Sequence, residues 1–279
     1  MEWYNATHPK CYRGGLKEIN RYNRACEQRR SLYYSKEVKN KDIISDLQEK
    51  SYSIVKNCID VEKLDKLMIE FDNVCSSGKN LKQNNSHFCT IDQPFLYCPT
   101  TTELATNNLV IDIATDFFNC LPAIGPFNFR RSYVNNLPIN TTQLFHCDPN
   151  SVKFLKFFFY LNDVDMDGGP FTIVEGSHKF KFMGWDSPSK YRWNDEEIER
   201  LYGKESIRYL TANKGDMIVA NTTAFHKGTK PTKTERTMLT LNYVMHPEDW
   251  KDPSFKIFQS DVDKMPDHLK PLTDFLVKV

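Results

Sequence analysis

From about residue 127 onward, the chain alternates short runs of β-branched and aromatic residues with turn residues. This pattern constrains the fold most strongly. The candidate strands are FNFRRSYV, TTQLFHCD, VKFLKFFFYL, PFTIV, SIRYL, DMIVA and RTMLTLNYVM. Turn residues separate them, as at Gly168-Gly169-Pro170 and Lys214-Gly215-Asp216. Many short strands in succession predict an antiparallel sandwich or barrel.

The preceding residues favour helices. Residues 16–38 and 42–50 are predicted helices, followed by a strand in 51–59. Asp60 is the predicted N-cap of the next helix, because apolar residues then recur on one helical face. These are Val61, Leu64, Leu67, Met68 and Phe71. A polar loop is predicted for 76–86, and a longer helix from Thr101 ends at Pro122. We therefore expect one domain, an α+β fold with a mainly β core and an N-terminal helical layer.

The composition indicates a globular protein, which we expect to be soluble. The hydrophobic fraction of 40% and the aromatic fraction of 13% are sufficient for a core. A net charge of +1 gives no indication of a nucleic-acid or membrane partner. Without a long apolar stretch or a signal peptide, we expect a cytoplasmic protein, monomeric or weakly homo-oligomeric. The eight cysteines form no CxxC pair, and in that compartment reduced thiols are expected.

Three residues can hold one divalent metal. His146 and Asp148 are two positions apart in a candidate strand, so both side chains point to the same face while Cys147 points away. His226 follows Asp148 by 78 positions, in the segment after DMIVA. Two imidazoles and one carboxylate on one face of a metal, with open positions opposite, are typical of non-haem iron(II) oxygenases. Arg236 lies ten positions after His226 and is suited to binding a carboxylate with two hydrogen bonds.

Around these residues the chain resembles the phytanoyl-CoA hydroxylase family of iron(II)/2-oxoglutarate dioxygenases. The first matching segment is FHCDPNSVKFLKFFFYLNDVDMDGGPFTIVEGSH, with its H-x-D, Asn-Asp-Val, Gly-Gly-Pro and Glu-Gly-Ser-His motifs. The second is GDMIVANTTAFHKGTKPTKTERTMLTLNY, with the distal histidine and the arginine-bearing strand. The resemblance covers roughly residues 125–247.

The resemblance implies a double-stranded β-helix, a jelly-roll or cupin-like fold, at about residues 126–247. A helical layer would precede it at about 1–125, and a C-terminal extension would follow at 248–279. It implies iron(II) held by His146, Asp148 and His226, with 2-oxoglutarate and O2 as co-substrates. Arg236 would bind the far carboxylate of 2-oxoglutarate, and Gln143 would lie near it. Met238 stands where many relatives carry a hydroxyl, so Thr240 or Thr237 is the candidate substitute.

The predicted reaction is oxidation of an unactivated C–H bond in a small polar or carboxylate-bearing metabolite. Relatives that halogenate replace the aspartate with a small residue, so Asp148 favours hydroxylation, oxidative cyclisation or desaturation. Rival interpretations are a non-catalytic binding barrel and a zinc hydrolase, since two histidines and a carboxylate also suit zinc.

The substrate residues are less constrained by the sequence. Strand alternation points one of Arg130 and Arg131 into the barrel mouth, and Arg131 with Tyr133 forms a candidate for holding an acidic substrate. A surface salt bridge is an equal alternative. Trp185 and Trp193 lie in an insert, residues 180–205, that is either a lid over the substrate or core packing. Lys156 is predicted to be a snorkelling edge lysine, with an interior position as the alternative.

Overall fold

The fold is described by a computed structural model over residues 2–6, 8, 11–12, 14–32, 37–148, 152–185, 187, 190–245 and 255–279. Parts of three predictions lie outside the described residues: the helix at 33–36, the insert at 186 and 188–189, and the domain boundary with the segment 246–254.

Helices and strands alternate in the first half of the chain, and strands dominate the second. The α-helices are α1 Gly15–Arg30, α2 Lys41–Glu49, α3 Val61–Ser77, α4 Pro94–Tyr97, α5 Thr100–Ala105, α6 Asn108–Phe118, α7 Asp195–Tyr202 and α8 Gln259–Asp263. The strands are β1 Trp3–Asn5, β2 Tyr52–Val55, β3 Leu81–Asn84, β4 Phe88–Ile91, β5 Ala123–Ser132, β6 Leu155–Tyr160, β7 Phe171–Val174, β8 Phe180–Phe182, β9 Ile207–Leu210, β10 Met217–Asn221, β11 His226–Gly228, β12 Arg236–Val244, β13 Lys256–Ile257 and β14 Val277–Lys278. Short 3-10 helices cover Thr141–Gln143, Lys204–Ser206 and Asp267–Thr273.

Two antiparallel sheets form the core. The large sheet has the order β2-β10-β6-β12-β5-β4-β3, and the small sheet has the order β11-β7-β9. Apolar residues from both sheets pack together, including Phe158 and Ile218 from the large sheet and Phe171 and Ile173 from the small one. The predicted jelly-roll, cupin-like fold is confirmed, as facing sheets rather than as a closed barrel within the described residues.

Strand alternation gives the large sheet two different faces. On β12, Leu239, Leu241 and Tyr243 belong to the main apolar core, which also contains residues of α1 to α3 and α6. Arg236, Met238 and Thr240 alternate with them and lie on the opposite face, towards the small sheet. The helical layer therefore covers one face of the large sheet, and the other face is left for the site.

Several predictions on the helical half need correction. The predicted long helix is two helices, because the side chain of Asn107 accepts a hydrogen bond from the Leu109 backbone N–H at 3.0 Å and caps a new helix there. The predicted loop 76–86 contains β3, which pairs with β4 at the edge of the large sheet. The N-cap predicted at Asp60 is confirmed, since its side chain accepts from the Glu62 backbone N–H at 2.9 Å.

The prediction of reduced cysteines is wrong for one pair. Cys75 in α3 and Cys89 in β4 form a disulfide, because the folded chain brings residues 14 positions apart into contact across the helix and the sheet. The other six cysteines are free thiols, five of them buried. Among the described residues, no helix is long and apolar enough to cross a membrane.

We predict that Phe71→Ala lowers the free energy of unfolding by about 3–5 kcal/mol, because it removes a large buried ring from the main core. Phe71 is fully buried and lies 4.7 Å from Phe129 between ring centroids. The measurement is urea unfolding followed by circular dichroism. Ile69→Ala on the same helix is the matched control, since Ile69 is 61% exposed and its change should stay within about 0.5 kcal/mol. Equal losses in the two variants would contradict this account of the core.

Candidate active site

His146 and His226, far apart in the chain, are joined directly by their backbones. The His146 N–H donates to the His226 carbonyl at 2.9 Å, and the His226 N–H donates to the His146 carbonyl at 2.8 Å. Two residues further on, the Asp148 N–H donates to the Thr222 carbonyl at 3.0 Å. The predicted strand TTQLFHCD is therefore wrong as a regular strand: it is a 3-10 helix followed by isolated bridges at Phe145 and His146. Those bridges still place the three predicted metal ligands together.

The ligand atoms of His146, Asp148 and His226 all lie within 4.8 Å of one another, a group that can hold a metal ion. Each histidine Nδ1 lies 2.9 Å from the carbonyl oxygen two residues before it, on Leu144 and on Ala224. A carbonyl only accepts hydrogen bonds, so Nδ1 carries the proton and the Nε2 lone pair is free for a metal. Burial lowers the pKa of His146 to about 3 and that of His226 to about 4, so both rings are neutral at pH 7.

Lys156 lies inside the site, so its predicted position as a snorkelling edge lysine is wrong. Its Nζ donates to Asp148 Oδ2 at 2.6 Å, and the same oxygen lies 3.8 Å from Nε2 of His226. Burial alone would raise the pKa of Asp148, but the ammonium group of Lys156 outweighs it and holds that pKa well below its usual range. Asp148 is therefore an anion. The alternation of β6 turns Lys156 and Phe158 towards the small sheet, and Leu155 and Phe157 towards the main core.

A cavity of about 140 Å³ lies between the two sheets at this triad, and we call it the active-site cavity. It is lined by Phe88, Asn128, Arg130, Ser132, Thr142, Gln143, His146, Lys156, Phe158, Phe171, His226, Gly228, Arg236, Met238 and Thr240. Of the residues predicted near the co-substrate, Arg236, Gln143 and Thr240 are all here. Thr237 is on the other face of β12, where its Oγ1 accepts from Nε of Arg131 at 2.7 Å.

Arg236 is buried, and no carboxylate of the described residues forms an ion pair with it. Its exposure is 4%, and Nη2 makes one weak hydrogen bond, to Ser132 Oγ at 3.4 Å. Its Nε and Nη1 are buried and have no hydrogen-bond partner in the part of the chain that the structure describes. A Cβ on Gly228 would lie 3.3 Å from Nη2, so a side chain at that position would crowd the guanidinium. Unpaired buried donors of this kind are costly unless a ligand satisfies them, and a carboxylate does so best.

Two of the predicted substrate residues, Arg131 and Tyr133, do not line the active-site cavity. Arg131 is turned away from the cavity: it binds Thr237, donates to Asp72 Oδ1 at 2.8 Å and lies over the ring of Phe71. Its neighbour Arg130 is the arginine that lines the cavity. Strand alternation does send one of the two arginines inward, and the register makes it Arg130 and not the predicted Arg131. Tyr133 packs against the main core and is absent from the cavity lining.

Trp185 and Trp193 lie in a separate apolar cluster with Phe145, Phe182 and Phe225. The described part of the insert 180–205 is therefore core packing at these two rings, not cavity lining. Cys147 also joins this cluster and accepts a hydrogen bond from the buried Lys181 at 3.2 Å, which agrees with its predicted position facing away from the metal.

The sequence analysis did not identify Asn128 and Gly228 as cavity residues, and it held the inward positions of Arg130 and Lys156 only as alternatives. Alternation already predicted two opposite faces for the candidate strand VKFLKFFFYL, which contains Lys156. Which face meets the small sheet depends on strand pairing, which no local pattern encodes.

The fold and the site together define a jelly-roll non-haem iron oxygenase with two histidines and one carboxylate. Residues 141–238, about a third of the chain, match the family model of phytanoyl-CoA dioxygenase (PhyH). The predicted class, a non-haem iron, 2-oxoglutarate-dependent dioxygenase, is confirmed. No curated protein matches the chain in sequence.

Solved structures resemble the chain in fold. The epimerase SnoN from nogalamycin biosynthesis, which is described as non-haem and α-ketoglutarate-dependent, is 16% identical with a TM-score of 0.53, covering 73% of this chain and 81% of its own. EctD from S. alaskensis, solved with 2-oxoglutarate and 5-hydroxyectoine, is 14% identical with a TM-score of 0.57 over 76% and 78%. HygX from Streptomyces hygroscopicus, with nickel and 2-oxoglutarate bound, is 12% identical with a TM-score of 0.53 over 76% and 87%. At such identities the likeness establishes the fold alone.

We predict that the metal-free protein loses stability as the pH falls from 6.5 towards 4. The pKa values of His146 and His226 fall from 6.5 to about 3 and about 4 on folding, so in this interval the unfolded chain binds more protons. Stability therefore rises with pH, by up to about 1.4 kcal/mol per pH unit for each histidine. Urea unfolding at a series of pH values, with chelator present, measures the slope.

The double variant His146→Gln, His226→Gln is the control for this prediction, since it removes both groups. Its slope between pH 6.5 and 4 should be clearly smaller than that of the wild type. An unchanged slope would show that the two imidazoles are not the groups that titrate.

Proposed function

We propose that the protein oxidises an unactivated C–H bond of a small polar or carboxylate-bearing metabolite, with hydroxylation as the default outcome. His146, Asp148 and His226 would hold iron(II), with the two imidazoles and the carboxylate as its protein ligands. The ligand chemistry supports this, because both imidazoles are neutral, both Nε2 lone pairs are free and Asp148 is ionised. When bound, iron and 2-oxoglutarate supply the oxidant from O2, with succinate and carbon dioxide as co-products.

Arg236 is the residue that indicates 2-oxoglutarate as the co-substrate. A buried guanidinium with unpaired Nε and Nη1, in the same cavity as the triad, is a built receptor for a carboxylate. In the proposed complex, the carboxylate of 2-oxoglutarate remote from the metal accepts two hydrogen bonds from Arg236. Ser132 Oγ, 3.4 Å from Nη2, keeps the guanidinium plane in place, and Gly228 leaves room for it.

The other cavity residues position the co-substrate and exclude water. The side-chain carbonyl oxygen of Gln143 accepts a hydrogen bond from the Asn140 backbone N–H at 2.6 Å. This bond fixes the Gln143 side chain, with its NH2 group turned away from that N–H. Thr240 supplies the hydroxyl that Met238 lacks on the same face of β12. Phe158 and Phe171, stacked at 4.2 Å, form an apolar wall beside His226 that limits access of water to the metal.

Oxidative cyclisation and desaturation are the nearest alternative outcomes on this scaffold. Similar folds are described as an epimerase and as a carbocyclase, both from nogalamycin biosynthesis. A non-catalytic binding barrel is the alternative from another class of protein. Two neutral imidazoles beside an ionised Asp148 argue against it, as does a buried Arg236 that forms no ion pair among the described residues. A zinc hydrolase uses no keto-acid co-substrate, so the buried Arg236 argues against that alternative. The single-domain organisation, the cytoplasmic location and the monomeric or weakly oligomeric state stay predictions.

We predict that Arg236→Ala raises the 2-oxoglutarate concentration for half-saturation by roughly 10–100-fold, since a charge-assisted hydrogen bond contributes about 1.5–3 kcal/mol. The wild type should develop weak visible absorption when iron(II) and 2-oxoglutarate are added without oxygen, and titration of that band measures binding. Metal affinity should change little, because Arg236 makes no contact with the triad among the described hydrogen bonds.

Arg131→Ala is the matched control, since this arginine lies on the opposite face of the sheet, and it should titrate like the wild type. A wild type without the absorption band would favour the non-catalytic barrel. A normal band and normal succinate release in Arg236→Ala would refute the role of Arg236.

The reaction outcome is predicted to appear as a product heavier by one oxygen atom than the substrate. A succinate-coupled screen of amino acids, betaines, acyl-CoAs and terpenoid or alkaloid acids identifies the substrate, and mass spectrometry measures the product. A product lighter by two hydrogen atoms would establish cyclisation or desaturation instead.

A further inference from the structure

With a divalent metal bound, the active-site cavity would hold more positive charge than the co-substrate can neutralise. Arg130, Lys156 and Arg236 line it, no Asp or Glu is among its described lining residues, and Lys156 already pairs with Asp148 at 2.6 Å. Neither Arg130 nor Arg236 has an ion pair with a carboxylate among the described residues. In the proposed function, the two negative charges of 2-oxoglutarate would be neutralised by the metal and by Arg236. Arg130 then remains without an anion.

The guanidinium of Arg130 is held in one orientation by neutral groups. Its Nε donates to Thr90 Oγ1 at 2.8 Å and its Nη2 donates to Gln83 Oε1 at 3.0 Å. The plane lies 4.4 Å from the ring centre of Phe88. Burial, and secondarily Arg236, lower the pKa of Arg130 to about 10, so it stays charged at neutral pH. Because this charged guanidinium is already held in one orientation, it loses little conformational entropy when an anion binds.

The position of Arg130 separates it from Arg236. The register pairs Arg130 with Met238, and Arg236 with Ser132, so the two arginines are diagonal neighbours on β5 and β12. The hydrogen-bond acceptors of Arg130 lie on β4 and β3, on the side of β5 away from β12. Its guanidinium therefore reaches away from Arg236, and Arg236 is the more deeply buried of the two.

We infer that Arg130, oriented by Thr90 and Gln83 over Phe88, is the binding subsite for a carboxylate of the primary substrate. The inference rests on the proposed function, which assigns Arg236 to 2-oxoglutarate. A single planar guanidinium matches a carboxylate with two parallel hydrogen bonds, whereas a primary amide offers one acceptor and brings donors that find no partner. The substrate class is thus a small metabolite with a free carboxylate, whose apolar part can contact Phe88.

The test compares acids with their own amides in protein loaded with manganese(II) and 2-oxoglutarate, which does not turn over. The probes are hexanoate, phenylacetate and N-acetylproline, each beside its primary amide, at millimolar concentrations. Ligand-induced shifts in the thermal unfolding midpoint measure binding. In the wild type, at least one acid should stabilise the protein more than its amide does.

Arg130→Gln should weaken binding of that acid by about 10-fold or more, the loss expected for one charge-assisted interaction. The same variant should bind 2-oxoglutarate as the wild type does in the visible titration, which also shows that it is folded. Arg131→Gln, the same change at the neighbouring residue on the other face, should keep the preference for the acid.

Three results would overturn the inference: no acid outperforming its amide in the wild type, an intact acid preference in Arg130→Gln, or a loss of 2-oxoglutarate binding in Arg130→Gln as large as in Arg236→Ala. The last would make Arg130 a co-substrate residue. A wild type that fails to bind 2-oxoglutarate at all would overturn the proposed function, and this inference with it.

Discussion

The reciprocal pair of backbone hydrogen bonds between His146 and His226 is the contact on which the site depends. It joins a segment after β5 to the start of β11, and it sets the distance between two metal ligands without using their side chains. Each imidazole is in turn held in place by a hydrogen bond to the backbone carbonyl two residues before it. A metal therefore meets donor atoms that are already oriented, and the entropy of ordering them is lost during folding and not on binding.

The second constraint is the distribution of charge over one face of the large sheet. β12, β5 and β6 each send apolar side chains into the helix-covered core and polar ones into the cavity. Lys156 compensates Asp148, while Arg236 and Arg130 have no such partner among the described residues. Uncompensated buried cations cost folding free energy, and they persist in a structure where a ligand anion offsets that cost.

Much of the fold and the centre of the site followed from local patterns. The period-two strands, the Asp60 cap and the H-x-D spacing are short-range signals, and each of them led to a prediction that the structure or the family match supports. The predictions failed where a local cap or a long-range strand pairing overrode the pattern. Asn107 interrupts an otherwise continuous apolar stripe with a cap, and residues 81–84 become a strand only because β4 offers them an edge. Arg131 was chosen over Arg130 because alternation fixes opposite faces and not which face is inside.

The sequence by itself indicated the class of chemistry, since His146, Asp148 and His226 can together hold a divalent metal and an arginine such as Arg236 can bind a carboxylate. It also determined the two-faced strands, because side-chain alternation is a property of the extended backbone. Only the tertiary structure decided which face meets the small sheet, and therefore that Arg130 and Lys156 enter the cavity while Arg131, Trp185 and Trp193 do not. Strand register is a long-range choice, made by the pairing of β5 with β12 and β4, and no window of neighbouring residues contains it.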